Sequence, residues 1–322
     1  MPGNVTFPVP RSPFPARNSP FALPHLGPRS GATIMCARSI SREQALTERR
    51  ILRRIRGTDT SDGAGVKLKR IIGQPGLDML DPFLLLDEFR SDQAGDYIAG
   101  FPEHPHRGFE TVTYMLAGRM QHGDNHGNRG DLRPGSVQWM TAGRGIVHSE
   151  MPQQENGLMW GFQLWVNLPA KDKMTEPRYQ DIDPERIPVV RPADGVTVKV
   201  IAGRLGDAAG PVTGIVTAPI YLDIAVEAGA GIEVPLPEGH HAFAYVFDGS
   251  DAQVAGEVLF RSELAVLSEG SSVRIAGREA PARVLLVAGQ PLQEPVARYG
   301  PFVMNTPEQI HQAIADFRAG KF

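Results

Sequence analysis

The stretch PEHPHRGFETVTYMLAG, residues 102–118, joins a His-x-His pair to an alternating strand that ends at a glycine. A second pair, the His-x-Glu of IVHSEM, follows further along the chain. Residues i and i+2 of a strand point to the same face, so each pair projects both side chains inward together. Two such strands of a β-barrel can direct four ligands at one ion. The sequence therefore predicts a metal site made of His104, His106, His148 and Glu150.

This ligand set limits the metals that the site can hold. Three imidazoles and one carboxylate suit a borderline divalent ion such as Fe(II), Mn, Ni, Cu, Zn or Co, whereas Ca and Mg prefer oxygen ligands. In an octahedral shell, four protein ligands leave two positions open for a substrate and O₂ or water. Glu110 competes with Glu150 for the carboxylate position because it starts a strand four residues after His106. Spacing alone does not separate the two.

Other polar and aromatic residues near the motif are interpreted differently. His122 and His126 lie in QHGDNHGNRGD, where Gly, Asn and Asp indicate a surface turn, so both are predicted at the rim and not among the ligands. Trp139 and Phe109 have two interpretations, as walls of an apolar pocket or as core residues.

The rest of the chain indicates an all-β protein with two domains. Its 322 residues exceed the size at which one hydrophobic core usually stops growing. Short apolar runs punctuated by 35 Gly and 28 Pro are typical of sandwiches and barrels. The expected domains are an N-terminal metal-binding barrel over 49–185 and a C-terminal barrel over 186–322. A short helix, Pro307–Arg318 with Thr306 as N-cap, is predicted at the end.

The two halves are predicted to be one unit used twice. PEGHHAFAYVFDG, residues 237–249, loosely repeats the order of PEHPHRGFETVTYMLAG. His240 and His241 are adjacent, so in a strand they face opposite sides, and no His-x-Glu follows them. The C-terminal barrel is therefore expected to lack a metal.

Residues 1–48 are predicted to be a disordered extension. Their first 28 positions hold eight prolines, and residues 1–34 hold no acidic residue and show no hydrophobic period. The segment lacks the apolar core of a secretory signal, and its prolines disagree with a transit peptide. Met35 is a further candidate for the true start. The arginines that follow are interpreted as the solvated start of the first strand: Arg49, Arg50, Arg53, Arg54 and Arg56.

Charge and cysteine content bear on partners and location. Residues 57–322 hold 23 basic and 34 acidic residues, which argues against a broad nucleic-acid surface. The single cysteine, Cys36, excludes an intramolecular disulfide and fits a reducing cytosol. No run of eighteen apolar residues indicates a membrane helix. A cytoplasmic monomer is expected.

Several motifs together resemble the pirin family of the cupin superfamily. The resemblance extends from Leu52 to Phe322 and rests on FPEHPHRGFETVTY (101–114), HGNRGDLRPG (126–135), QWMTAGRGIVHSEMP (138–152), LLLDEF (84–89) and GPFVMNTPEQI (300–310). It implies a bicupin, two double-stranded β-helix (jelly-roll) barrels with one metal, usually iron, in the N-terminal barrel. Carried over to this chain, the family's ligands fall on His104, His106, His148 and Glu150.

This resemblance favours Glu150 over Glu110 as ligand, although the general cupin pattern would favour Glu110. It implies an activity like that of quercetin 2,3-dioxygenases, in which the flavonol 3-hydroxyl loses a proton and O₂ opens the ring with release of carbon monoxide. Fe(II) is the expected metal, a small aromatic compound and O₂ are the expected substrates, and Glu150 is expected to act as ligand and base.

The alternative is a non-enzymatic regulator that binds a transcription factor or a metabolic enzyme. In such a protein the oxidation state of the metal would change the surface shown to the partner. An isomerase or a sugar-processing cupin would share the ligands but not the QWMTAGRG signature.

Overall fold

The structure is a computed structural model that describes residues 47–154 and 156–322. The predictions for residues 1–46, including disorder and a start at Met35, lie outside this range. The first strands in chain order are β1 (Ile51–Arg56), β2 (Thr58–Asp62), β3 (Val66–Ile72), β4 (Phe83–Ser91), β5 (Phe101–His106), β6 (Phe109–Ala117), β7 (Met120–Asp124), β8 (Arg129–Leu132), β9 (Val137–Thr141), β10 (Ile146–Pro152), β11 (Met159–Asn167), β12 (Arg178–Ile182) and β13 (Val189–Ala193).

Strands continue through the second half of the chain. They are β14 (Val196–Ala202), β15 (Arg204–Leu205), β16 (Ala208–Ala209), β17 (Ile220–Val226), β18 (Gly231–Pro235), β19 (His241–Asp248), β20 (Asp251–Val254), β21 (Glu257–Phe260), β22 (Glu263–Leu267), β23 (Ser272–Ala276), β24 (Ala282–Gly289), β25 (Ala297–Tyr299) and β26 (Phe302–Met304). Within the described residues, the helical elements are three single 3₁₀ turns, Ala94–Asp96, Ala170–Asp172 and Pro184–Arg186, and the helix α1, Pro307–Arg318. The all-β prediction is confirmed.

The strands form two barrels of the same design. The first pairs a seven-stranded sheet, β12-β9-β6-β11-β4-β3-β2, with a four-stranded sheet, β5-β10-β7-β8. The second pairs β1-β22-β19-β24-β17-β14-β13 with β18-β23-β20-β21. Strand for strand, β5-β10-β7-β8 corresponds to β18-β23-β20-β21, and β9-β6-β11-β4 corresponds to β22-β19-β24-β17. The expectation of one unit used twice therefore agrees with the topology.

The seven-stranded sheets pack against each other through their outer faces. In β19, Phe243, Tyr245 and Phe247 belong to a core shared by both barrels, whereas the alternate residues Ala244 and Val246 fill the interior of the second barrel. This alternation follows from the two-residue period of a strand. Buried polar bonds cross the shared core: the Tyr245 hydroxyl donates to a Glu88 carboxylate oxygen at 2.5 Å, and the Tyr114 hydroxyl donates to Asp223 at 2.6 Å.

Both ends of the described chain pack against the barrel that lies farther away in sequence. Strand β1 pairs antiparallel with β22, in the second barrel. Arg49 precedes β1 and is buried, and its guanidinium donates to the carbonyl oxygens of Gly270, His240 and Pro237 at 3.0, 2.8 and 2.9 Å. Arg50, Arg53, Arg54 and Arg56 are exposed. The interpretation of this cluster as solvated is therefore wrong for Arg49, because backbone carbonyls satisfy its guanidinium.

The C-terminal segment returns to the first barrel. The backbone N–H of Val303 donates to Arg107 O at 3.0 Å, and the Arg107 side chain forms an ion pair with Asp316 of α1 at 2.8 Å. Thr306 caps α1 in a capping box with Gln309, as predicted for this N-cap. We propose that the border between the barrels lies at residue 185. Two segments are exceptions: β1 joins a sheet of the second barrel, and the C-terminal segment packs on the first barrel. The α-helix of the described ranges, α1, has 12 residues and is too short to span a bilayer.

Candidate metal centre

Three histidines meet inside the first barrel. His104 and His106 lie on β5 and His148 lies on the neighbouring β10, where His148 pairs with His104. Candidate ligand atoms of the three rings lie within 4.8 Å of one another, and the two Nε2 atoms of His104 and His106 are 3.0 Å apart. The i, i+2 spacing on β5 and the antiparallel pairing with β10 thus bring the three imidazoles to one point.

The protonation of these rings suits a metal. His104 Nδ1 lies 2.8 Å from Pro102 O, and because a carbonyl only accepts, Nδ1 is the donor and Nε2 is the nitrogen of this ring that is placed to bind a metal. Burial, followed by the neighbouring imidazoles, lowers the pKa of His106 and of His148 well below the usual value, so both rings are neutral. Among residues 47–154 and 156–322, no hydrogen-bond partner lies within reach of the buried His106 Nδ1 or of either ring nitrogen of His148. One nitrogen of each ring lies within 4.8 Å of the others, and three imidazoles that converge in this way fit a borderline divalent cation.

Glu150 is buried on β10 but is not part of this compact group. Its Oε1 accepts a hydrogen bond from Thr113 at 2.9 Å, and its Oε2 accepts one from Gln163 at 2.8 Å. The pairing of β10 with β5 shifts between His148 and Glu150, which lies opposite Phe101. The structure brings together the three predicted histidines and leaves the predicted carboxylate engaged with neighbouring side chains.

Glu110 lies on the other face of its sheet. On β6 it has the same parity as Val112 and Tyr114, which belong to the core shared by the two barrels, whereas Thr113 faces inward to Glu150. The Oε1 atom of Glu110 accepts a hydrogen bond from the Thr141 hydroxyl at 2.7 Å, and burial raises the pKa of the Glu110 carboxyl. Strand parity therefore directs Glu110 away from the histidines.

The other histidines of the motif region are separated by their burial. His126 is exposed in the turn after β7, as expected, but His122 is buried within β7. The His122 ring lies 5.1 Å from the Tyr179 ring, and its Nε2 is 3.5 Å from an Asp181 carboxylate oxygen. The rim interpretation of His122 is therefore wrong. In β7, Met120 and His122 alternate with Gln121 and Gly123. This two-residue strand period is the sequence pattern that predicts a buried His122.

The histidine pair of the second half lies elsewhere in its barrel. His241 begins β19, the counterpart of β6, so the loose sequence correspondence with β5 is offset. His241 Nδ1 lies 2.7 Å from Asp81 O, and His240 Nε2 lies 3.1 Å from Ala218 O. The strands that correspond to β5 and β10 are β18 and β23, and there Val234 pairs with Val273.

A cavity of about 530 Å³ opens beside the histidines in the first barrel. His104 and His106 form part of its wall, and Phe89, Phe101 and Trp165 supply aromatic surface. Phe109 is fully buried behind this wall, with its ring 5.1 Å from that of His106, and Trp139 belongs to the shared core. The core interpretation is therefore correct for both residues. Trp165, which was not predicted from the sequence, supplies the aromatic wall that one interpretation assigned to Phe109 and Trp139.

The same cavity has charged residues in its wall. Arg70 binds Asp87 through two hydrogen bonds of 3.0 and 2.7 Å, and it also binds Asp62 at 2.7 Å. Burial raises the pKa of the Asp87 carboxyl to about 6 despite the neighbouring Arg70. Arg298, from β25, lines the cavity as well. The sequence feature that indicates this ion pair is Asp87 in the apolar run LLLDEF, because a buried carboxylate requires a partner.

Comparison with known proteins gives consistent matches over both barrels. The profile described as Pirin matches residues 65–166, and the profile described as Pirin C-terminal cupin domain matches residues 221–322. A Pseudomonas aeruginosa protein, named provisionally as a quercetin 2,3-dioxygenase, is 54% identical over 271 residues, covering 82% of this chain and 94% of that protein. Human pirin is 47% identical over 82% of this chain and 90% of its own length.

Solved structures agree with these matches. The crystal structure of quercetin 2,3-dioxygenase from Acinetobacter baumannii superposes with a TM-score of 0.78 at 36% identity, covering 85% of this chain and 98% of that one. The bicupin prediction is therefore confirmed. On the two family profiles, the close relatives and the paired barrels, this chain belongs to the pirin family of the cupin superfamily.

Proposed function

We propose that this protein is a metal-dependent dioxygenase that acts on a flavonol such as quercetin or on a related planar enol. The observation that carries the proposal is the position of the three-histidine cluster, of which His104 and His106 form part of the wall of a cavity of about 530 Å³. Cavities of several hundred Å³ in which aromatic surface and converging polar groups occur together are typical of small-molecule sites. The relatives named as quercetin 2,3-dioxygenases support the same class of reaction.

The proposed ligands of the metal are His104, His106, His148 and Glu150. A divalent metal, for which Fe(II) remains our prediction, would supply Lewis acidity that lowers the pKa of an enol hydroxyl, together with the redox chemistry needed for O₂. The neutral imidazoles keep lone pairs available for it, since burial opposes their protonation.

Glu150 is proposed to take the proton of the substrate hydroxyl. A carboxylate offers about four lone-pair positions on its two oxygens, and Thr113 and Gln163 each occupy one. These two hydrogen bonds fix the orientation of the carboxylate and leave acceptor positions on both oxygens. Glu150 can therefore hold a proton without losing its place on β10.

The aromatic walls are proposed to orient the substrate. The Trp165 ring lies 5.3 Å from the His106 ring and 4.4 Å from the Phe109 ring, so its position is fixed by packing on both neighbours. Its indole N–H donates to Gln163 at 3.1 Å, which joins this wall to the residue that holds Glu150. A planar ring system beside Trp165 would exclude water from the reacting oxygen.

The test is oxygen consumption by the iron-loaded protein. The protein is loaded with Fe(II) without oxygen, quercetin and air-saturated buffer are added, and O₂ uptake and loss of the flavonol absorbance are followed together. We expect turnover in the wild type and none in His106→Ala, because that variant removes a buried ring of the cluster.

His126→Ala is the matched control because this exposed imidazole lies outside the cluster. It should retain wild-type turnover. A fully metallated wild-type protein that consumes neither O₂ nor flavonol would contradict the dioxygenase proposal and favour the regulatory alternative.

A further inference from the structure

The charged wall of the cavity contains two arginines in different states. Arg70 is held by two carboxylates, with Asp87 on both its Nε and Nη2 and with Asp62 on Nη2. This bidentate geometry occupies the guanidinium edge that would otherwise bind a ligand. Arg70 is therefore a structural part of the wall.

Arg298 differs from Arg70 in that most of its N–H groups form no hydrogen bond within the described ranges. Its side chain lines the cavity, and its polar contact in the described ranges is one hydrogen bond, from Nη1 to Leu84 O at 3.2 Å. No carboxylate of those ranges forms an ion pair with it within 4.0 Å. A guanidinium has five N–H donors, so most of those on Arg298 remain available.

The surroundings of Arg298 favour an incoming anion. Burial, followed by the positive charge of Arg70, lowers the pKa of the Arg298 guanidinium. The carboxylates of Asp78, Asp87 and Asp62 offset these two effects only in part, and an anionic group beside the guanidinium would stabilise its charged form further. Asp62 and Asp87 accept hydrogen bonds from Arg70, and neither of them forms a hydrogen bond with Arg298.

Trp165 connects Arg298 to the histidine cluster. The guanidinium carbon of Arg298 lies 4.8 Å from the centre of the Trp165 ring, and the His106 ring lies 5.3 Å from it. The two polar groups are thus within reach of one planar ligand of two or three rings along the same wall.

We propose that the cavity selects planar aromatic enols that carry a second, anionic oxygen, a phenolate or a carboxylate, which Arg298 binds. The part of this inference that concerns the enol rests on the proposed function. The part that concerns the anionic group rests on Arg298 alone. Arg298 is then a specificity-determining residue, and neutral flavonols are weaker ligands than acidic ones of the same shape.

The test measures binding to the zinc-loaded protein, in which redox turnover is absent. The probes are 3-hydroxyflavone and its 3′-, 4′- and 7-carboxylate derivatives, followed by flavonol fluorescence at pH 8. At least one carboxylate should bind on the order of tenfold more tightly than the parent compound, as expected for a charge-assisted hydrogen bond in a partly open site. In Arg298→Gln this ratio, taken against 3-hydroxyflavone bound to the same variant, should fall to about one.

Arg191→Gln is the charge-matched control, because Arg191 is exposed on β13 and outside the cavity. It should preserve the ratio. The inference is overturned if no carboxylate is preferred by the wild type, or if Arg298→Gln keeps the preference. Arg298-dependent binding without turnover of any probe by the iron-loaded protein would overturn the dioxygenase proposal alone, and turnover without charge preference would overturn this inference alone.

Discussion

Glu150 and Glu110 are two buried carboxylates of the first barrel whose roles depend on strand parity. Glu150 faces the barrel interior with Thr113, and Glu110 faces the shared core with Thr141. If Glu150 is a ligand, Glu150→Gln should lower metal affinity roughly 100-fold, since even residues that only support ligands contribute 10–100-fold. Competition with a chelator of known affinity, read by elemental analysis, measures this loss.

Glu110→Gln is the natural comparison for this variant. It makes the same exchange of carboxylate for amide on the opposite face of the sheet, so metal affinity should stay at the wild-type value. The reverse result, with affinity lost in Glu110→Gln and kept in Glu150→Gln, would refute the proposed ligand set.

At this scale the sequence predicted what depends on local geometry. The convergence of His104, His106 and His148 follows from i, i+2 spacing and one strand pairing. Arg298 was not predicted, because a residue at position 298 meets this cavity only through the return of the C-terminal segment. Trp165 was not predicted, because both faces of β11 are buried and its sequence does not show which face lines the cavity. His122 was misinterpreted because the turn residues around it mask a short strand.

At the scale of elements, β1 depends on the anchor that precedes it. The guanidinium of Arg49 satisfies three carbonyls of the second barrel in a buried position. Arg49→Met should therefore lower the free energy of unfolding by about 2–4 kcal/mol, because three part-buried carbonyl oxygens lose a charged donor. Urea denaturation followed by tryptophan fluorescence measures the change.

Arg50→Met provides the control at the next position, where the side chain is exposed and Arg50 contributes through its backbone to Ser268. Its effect should stay within about 0.5 kcal/mol. Equal stability of the two variants would show that the carbonyl cage around Arg49 adds nothing to the docking of β1.

The sequence predicted most elements but not their partners. Alternation and turn residues indicated the short strands, and Thr306 with Pro307 indicated α1. That β1 joins β22 was not predicted, since an alternating pattern fixes which face of a strand is buried but not the strand with which it pairs.

At the scale of the molecule, Lys173 ties the C-terminal segment to the first barrel. It is buried, and its ammonium donates to Gly108 O, Asn167 Oδ1 and Val303 O at 2.8, 2.6 and 3.1 Å. Burial lowers the pKa of Lys173 to about 7, from an ordinary value of 10.5. Between these values the unfolded chain binds the proton more strongly than the folded protein does. The contribution of Lys173 to stability should therefore rise with pH across this window.

The measurement compares wild type with Lys173→Met by denaturation at pH 6.5, 8 and 9.5. The difference in free energy of unfolding between the two proteins should shift in favour of the wild type as pH increases. A difference independent of pH would mean that the three acceptors keep the pKa of Lys173 near its ordinary value.

The pairing of β1 with the second barrel also bears on how the protein is made. Arg49 and its acceptor Gly270 are 221 residues apart in the chain. On a ribosome, β1 emerges long before β22, and until then it is an unpaired strand edge, open to mispairing with other chains. The first barrel can begin to fold during synthesis. The sheet that contains β1 and β22 is complete only when the C-terminal third of the chain has been translated.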